Sequence, residues 1–325
     1  MARMQYRCFP RFDWRISEVG FGMWGMGGWT GSDDEQSGQA LDRAVALGCT
    51  FFDTAWAYGD GRSECLLGAL LRRHAGKLYV ATKVPPKNRR WPGRATDRAD
   101  DVFPYEHVME YARLSLANLG VPAIDLLQLH VWDDSWTAAQ GWLRAVNELK
   151  RHGLISAFGI SVNRWAPQNV LRALDTGVVD TVQVVYNVFD QSAEDVLFPA
   201  CERFRVGVIA RVPFDEGSLT GTLRPGMSWP EGDFRNSYFT PPHLAETLKR
   251  VDPLQSLAAE WALPLPALAL RFILTNPAVT TTIPGMRRAR HAEENMAASD
   301  APRLSPAQIA ALRAFRWDRQ PDERS

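Results

Sequence analysis

At 325 residues the chain could hold two average domains, but barrels of alternating strands and helices run to about 250 residues or more as one unit, so length forces no division. Its 37 basic residues are balanced by 37 acidic ones, which leaves nucleic acid or an anionic membrane nothing to attract by charge. With 46% hydrophobic and 23% charged residues, and no run of about 18 apolar residues, the composition is that of a water-soluble enzyme and excludes membrane-spanning helices.

Residues 4–19 hold two short extended pieces around Pro10-Arg-Phe-Asp13, which predicts a small hairpin ahead of the main fold. Gly20-Phe-Gly-Met-Trp-Gly25 then spells the glycine fingerprint of a Rossmann turn. That turn needs its helix to begin on the last glycine, whereas Met26 to Gly31 intervene here before a capping box at Ser32 and Glu35, so the Rossmann reading is rejected. The helix that follows gathers Ala40, Leu41, Ala44 and Val45 on one face and is closed by Gly48.

From there strand and helix alternate. Strands are predicted at 19–24, 49–53, 78–83, 124–129, 155–160, 181–186, 206–211 and 279–283, and helices at 35–47, 63–73, 105–119, 138–151, 166–175, 194–204, 242–261 and 288–297. Apolar strands each followed by a helix argue for parallel strands buried on both faces. The fold class is therefore α/β, a closed (β/α)8 TIM barrel with an N-terminal β-hairpin, and residues 1–325 form a single domain. A segment at 264–275 and a helix from Ser305 to about Trp317 are C-terminal additions, and the charged tail beyond Trp317 is expected to fray. Two connections, 85–104 with Trp91 and four prolines and the Gly- and Pro-rich 212–240, are too long to be simple links and belong at the C-terminal mouth of the barrel, where ligands bind.

The chemistry gathers at strand ends. Asp53 closes the run Thr50-Phe-Phe, with Tyr58 five residues on in a glycine-containing loop; Lys83 follows Leu78-Tyr-Val-Ala-Thr82; His130 follows Ile124-Asp-Leu-Leu-Gln-Leu129. Taken singly, these are a turn residue, a solvated lysine and a core histidine. Taken together, they occupy the same place in successive strand–helix units, and a parallel barrel brings such places together. An acidic residue ending an apolar strand is also costly to hold without a cation, which Lys83 provides.

Asp53-Thr-Ala-x-x-Tyr58-Gly, Lys83 and His130 resemble, in order and context, the Asp, Tyr, Lys, His tetrad of the aldo-keto reductases, and the resemblance extends over nearly the whole chain. It implies hydride transfer from NADP(H) to an aldehyde or ketone, with Tyr58 supplying the proton and no metal. A phenol is a weak acid at neutral pH, with an ordinary pKa of about 10. Lys83 would stabilise the phenolate, Asp53 would keep Lys83 charged, and a neutral His130 would orient the carbonyl oxygen.

The same resemblance implies the cofactor contacts. Gly22, Met23, Trp24 and Asp53 are among them; Ser161, Asn163 and Gln183 sit at strand ends that hold the nicotinamide carboxamide, with Val162 separating the usual Ser-Asn pair and leaving open which of the two makes the contact. Gly217 and Leu219 fall in a cofactor-covering loop. Arg211 stands where many relatives carry an aromatic residue, and would stack on the nicotinamide, meet the pyrophosphate, or pair with Asp215 or Glu216. Gly285, Arg287, His291, Glu294 and Asn295 match the site for the adenosine 2′-phosphate and adenine. Arg287, Arg288 and Arg290 in the first turn of a helix oppose its macrodipole unless an anion joins them, the other reading being a solvated basic helix start. Trp24, Trp56, Trp91 and Trp132, with Tyr58 and His130, would form a substrate mouth suited to aromatic or extended apolar carbonyls.

A second functional class shares these features: a nicotinamide-bound regulatory subunit similar to channel β-subunits, whose partner is another protein. A metal-dependent barrel hydrolase is weak, because only His130 among six histidines ends a strand. Cys8, Cys49, Cys65 and Cys201 show neither metal nor disulfide spacing, and the N-terminus lacks an apolar signal core, so a cytoplasmic location is expected. Partners are expected to be a small carbonyl compound and the nicotinamide cofactor, not nucleic acid or membrane, and no feature indicates an oligomeric state.

Overall fold

A computed structural model describes residues 3–29, 31–74 and 76–319. The hairpin is β1 (Tyr6–Arg7) and β2 (Ile16–Ser17), antiparallel with Tyr6 opposite Ser17. Eight parallel strands follow, each paired with its neighbours in chain order: β3 (Phe21–Gly22), β4 (Phe51–Asp53), β5 (Tyr79–Val84), β6 (Ile124–Leu129), β7 (Ile155–Ser161), β8 (Thr181–Val185), β9 (Gly207–Arg211) and β10 (Val279–Thr282). Parallel bridges Val19–Thr282 and Gly22–Gly285 join the first strand region to the last and close the ring. Gly22 is needed for that closure rather than for a phosphate turn, since a Cβ there would lie 2.5 Å from the Ile283 carbonyl oxygen.

Side chains alternate along each strand. One file, including Phe52, Val80, Leu127, Phe158, Val182 and Val208, packs in the core cluster that the helices share. The other file begins with Phe51, Ala81, Leu126, Ala157 and Ile209 in a separate cluster within the barrel. Phe9 from the hairpin turn plugs this inner cluster from below, with its ring 5.9 Å from that of Phe51. Two steps further along the inner file come Asp53, Lys83, Gln128, Gly159, Gln183 and Arg211. Helix-facing positions are thus mainly apolar, with Thr82 bonded to Glu64 as an exception, while the upper barrel interior is polar.

The helices lie where periodicity places them, with local differences. The first helix, Asp34–Ala46, is capped by Asp33, whose side chain accepts from the Gln36 amide, so the cap is not at Ser32. The stretch 166–170 is a series of turns, and the helix there is only Leu171–Asp175. Pro167 disfavours helical geometry in the residue before it, and the Asn169 side chain is drawn to Asp133 and the Asp134 amide. Two extra helices, Leu265–Thr275 and Pro306–Arg313, complete the C-terminal part. Among the described residues no single helix is long and apolar enough to cross a membrane.

The tail does not fray at Trp317. Its amide donates to the Phe189 carbonyl at 2.8 Å, Arg316 forks onto Asp195 at 2.8 and 2.6 Å, and the Arg319 side chain is fully buried. Up to Arg319, charged and backbone partners replace the solvent that the sequence led us to expect; residues 320–325 of the tail lie outside the described residues.

Candidate active site

The Tyr58 loop leaves β4 and is fixed at both ends. Thr54 Oγ1 donates to Ser63 Oγ at 2.8 Å, and Ser63 Oγ in turn donates to the Met23 carbonyl at 3.3 Å. Below Tyr58 the backbone meets Gly27: Gly59 adopts φ +70°, and a Cβ there would lie 2.3 Å from the Gly27 oxygen. Glycine at 59 therefore lets the loop rest directly on the segment after β3, which sets the height of the phenol.

Lys83 joins the constellation. Its Nζ donates to Asp53 Oδ1 at 2.6 Å, to the Thr54 carbonyl at 2.7 Å and to Tyr58 Oη at 3.3 Å, with the lysine side chain 0% and the aspartate side chain 3% exposed. Burial alone would discharge this lysine, but Asp53 and Tyr58 outweigh it and raise its pKa, so Lys83 remains an ammonium. Burial also raises the Tyr58 pKa, and the opposing pull of Lys83 does not fully offset it. The phenol is thus held protonated by its low-polarity surroundings, with Lys83 pulling the other way as the sequence reading has it. Lys83 still favours the phenolate once a proton leaves.

His130 stands across from Tyr58, with ring centroids 5.7 Å apart and the planes at 74°. Burial, then repulsion from Lys83 and Arg211, drives its pKa well below the ordinary 6.5, so the ring is neutral. Its Nδ1 is buried without a hydrogen-bond partner among the described residues.

Gln128 is a residue that the sequence reading did not single out. Its amide donates to Asp53 Oδ2 at 3.3 Å, alongside Gln183, whose amide donates to the same oxygen at 2.7 Å. Both side chains are buried, and Gln183 also lies 3.4 Å from Gln128 Oε1. The signal was available: Gln128 interrupts an apolar strand and pairs in register with Lys83. Gly159 makes room for it, since a Cβ there would meet Thr181 Oγ1 at 2.3 Å and Gln128 Cγ at 3.1 Å.

A cavity of about 700 Å³ opens above this group. Of the residues named from the sequence, Gly22, Met23, Trp24, Asp53, Tyr58, Trp91, His130, Gln183, Arg211, Gly217, Gly285, Arg287 and His291 line it. Lys83 lies beneath, joined through Tyr58. Ser161 ends β7 in register with Gln183, on the inner file, whereas Asn163 Oδ1 accepts from the Trp165 amide at 2.9 Å in a local turn. Leu219 is buried inside its loop, Asn295 is buried, and Glu294 pairs with Arg290 at 3.4 Å on the helix surface.

Two tryptophans belong elsewhere. Trp132 is buried against Trp136 and Trp142, with centroids 6.0 and 5.2 Å away, and Trp56 packs edge-on to Tyr111 under the Arg89 guanidinium. Trp29 and Phe234 take their places at the mouth, their rings 4.5 and 4.9 Å from Trp24, while Trp91 faces His130 at 5.8 Å. The basic segment also differs in detail. The helix is Ala289–Met296, so only Arg290 lies in its first turn; Arg288 occupies the N-cap and Arg287 precedes it on the cavity wall.

Arg211 ends β9 and donates to the Val162 carbonyl at 3.2 Å, while its Nε is buried without a partner among the described residues. The ion pairs considered for it are formed by others: Asp215 is held by Arg164 and Arg319, and Glu216 lies 3.6 Å from Arg164. Among the described residues no group of three or more His, Cys, Asp or Glu could hold a metal ion.

Residues 18–316 match the Aldo/keto reductase family. The chain belongs to the aldo/keto reductase family. Aldo-keto reductase YhdN of Bacillus subtilis is 28% identical over 294 residues, covering 88% of this chain and 86% of that protein. A probable voltage-gated potassium channel subunit beta of Oryza sativa is 27% identical over 328 residues, covering 96% of each. The crystal structure of an aldo-keto reductase from Klebsiella pneumoniae in complex with NADPH has a TM-score of 0.72 at 22% identity, over 100% of this chain and 99% of that one. NADP(H) is the family cofactor, and aldo-keto reductases act on small-molecule carbonyl substrates. The eight parallel strands and N-terminal hairpin are the family's fold.

Proposed function

We propose that this aldo-keto reductase reduces aldehydes or ketones to alcohols with NADPH, using Tyr58 as the proton donor. The observation that carries the reading is the Lys83-centred group of Asp53, Tyr58 and His130 opening onto a single cavity. The residues present suit NADP(H): an arginine and a histidine on the cavity wall at 287 and 291, open space around Gly285, and unpartnered buried nitrogens on Arg211 and His130. Arg287 and His291 would hold the adenosine 2′-phosphate, Ser161 and Gln183 the carboxamide, and Arg211 the nicotinamide face or pyrophosphate. When bound, the reduced cofactor supplies the hydride. Tyr58 Oη gives its proton to the carbonyl oxygen as charge develops there, Lys83 stabilises the phenolate that remains, and neutral His130 orients the oxygen by hydrogen bonding. Asp53, braced by Gln128 and Gln183, keeps Lys83 in place.

A regulatory-subunit reading has comparable sequence similarity behind it, and catalysis separates the two. Trp24, Trp29, Trp91 and Phe234 around the mouth favour aromatic or extended apolar carbonyls, whose faces they can cover. In a carbonyl panel assayed by NADPH consumption, aromatic aldehydes should turn over with the highest kcat/KM and bare sugars with the lowest. No turnover of any reactive aldehyde, with NADPH bound, would leave the regulatory reading.

The unmodified protein should bind NADPH more tightly than NADH, and Arg287→Ala should weaken NADPH by about tenfold while leaving NADH unchanged, as expected for one charge-assisted phosphate contact. Equal affinities for the two cofactors in the unmodified protein would place the phosphate elsewhere.

A further inference from the structure

The connection after β9 is the most strained stretch of the described chain. Val212, Asp215 and Glu216 have φ of 55°, 46° and 55°, and Gly217 has φ 115°. Such backbone is strained at each non-glycine residue and persists only where the surroundings fix it. Val212, Phe214, Glu216, Gly217 and Thr220 from this stretch also line the cavity. Val212, Glu216 and Gly217 on its cavity face share the strain with Asp215, whose side chain on the opposite face carries the restraint.

That restraint is a buried cluster of charges from four separate segments. Asp215, 0% exposed, accepts from Arg164 Nη2 at 2.6 Å and from both terminal nitrogens of Arg319, at 2.9 and 3.2 Å. Arg319, also 0% exposed, reaches Asp190 at 2.6 Å and Tyr238 Oη at 3.0 Å. Asp190 is shared with Arg164 at 2.8 Å, and Asn187 donates to the Val212 carbonyl at 3.0 Å. Burial would push the Asp215 carboxyl up, but Arg319 and then Arg164 outweigh it and hold it well below the usual range. Arg319 is therefore the residue through which the C-terminal segment reaches the back of the loop. Its approach is fixed by the Trp317 amide bond to Phe189 and by cation–π contact with the Trp317 ring at 4.6 Å.

We propose that Arg319 is a positioning residue that holds residues 212–221 closed over the cofactor cavity and so sets the rate at which NADP(H) leaves. This rests on the reading of that cavity as the cofactor site. Arg164 also joins Asp190 to Asp215 and can still neutralise both, so removing Arg319 should loosen the loop without unfolding the barrel; what Arg319 adds is the hydrogen bond to Tyr238 and the tie to the C-terminal segment.

The test is stopped-flow NADPH binding and release with R319M, together with hydrogen exchange of residues 212–221 in NADPH-free protein. R319M should raise the NADPH dissociation rate at least about tenfold with the association rate changed less than about threefold, and should speed exchange in the loop. Dissociation and loop exchange both within about twofold of the unmodified protein would overturn the proposal. If R319M does not fold, Y238F keeps every charge of the cluster while removing one Arg319 partner; it should shift both measurements in the same direction, and unchanged values would count equally against the clamp. An unmodified protein that binds no NADPH would overturn the cofactor reading by itself, while the exchange comparison would still decide whether Arg319 holds the loop.

Discussion

Replacing Tyr58 by Phe is expected to lower kcat for carbonyl reduction by at least about 10²-fold while leaving NADPH affinity within a small factor of the unmodified protein. The substitution removes one oxygen from a ring whose position is set by the Gly27–Gly59 contact and the Thr54–Ser63 hydrogen bond, neither of which involves the hydroxyl. What is lost is the donor at 3.3 Å from Lys83 Nζ, and with it the group that delivers the proton. The pH profile gives a second reading of the same assignment. Tyr58 is held protonated above its ordinary 10.0 and His130 is neutral from well below 6.5, so turnover should stay flat from pH 6.5 to 10 in the unmodified protein. Turnover of Tyr58→Phe within a few-fold of the unmodified protein would discard the assignment, as would a steep loss of activity through neutral pH.

The second large effect concerns stability. Lys83→Met should destabilise the protein by about 3–5 kcal/mol, because it leaves the Asp53 carboxylate buried without its cation. The lower end is expected, since Gln183 and Gln128 continue to donate to Asp53 Oδ2. The Thr54 carbonyl would lose its partner as well. Activity should vanish with the same substitution, but the urea midpoint is the discriminating measurement. Adding Asp53→Asn to Lys83→Met removes the stranded charge and should restore part of the loss. A double variant less stable than Lys83→Met would show that the pair is not held by mutual neutralisation.

The tetrad was legible because three members stand at strand ends and Tyr58 lies in the loop that follows one of them. Asp53, Lys83 and His130 follow apolar runs, and a parallel barrel carries all such ends to one mouth, so chemical type and strand position together identified the group. Gln128 escaped because the sequence placed it one residue before a strand end, where a neutral amide reads as an ordinary strand residue; only the register opposite Lys83 and the inward-facing file reveal its meaning. The tryptophans show the same limit in another form. Trp56 and Trp132 follow strand ends as closely as the tetrad does, yet one packs on Tyr111 and the other enters the Trp136–Trp142 cluster. Trp29 and Phe234, distant in sequence, close the mouth around Trp24. Aromatic residues satisfy core and ligand site equally well, so only packing separates them.

By itself, the sequence determined the eight-unit barrel and its family and singled out Asp53, Tyr58, Lys83 and His130 as the candidate group, since hydrophobic periodicity and polar strand ends are local properties that the chain carries without reference to distant segments. Tertiary structure alone decided the protonated state of Tyr58, which depends on how far burial outweighs Lys83, and the two-amide brace on Asp53. It also decided the fate of Arg319. A charged residue near the end of a chain reads as solvated tail, and nothing local distinguishes it until the fold brings Asp190, Asp215 and Tyr238 to one point and makes burial with partners more favourable than exposure.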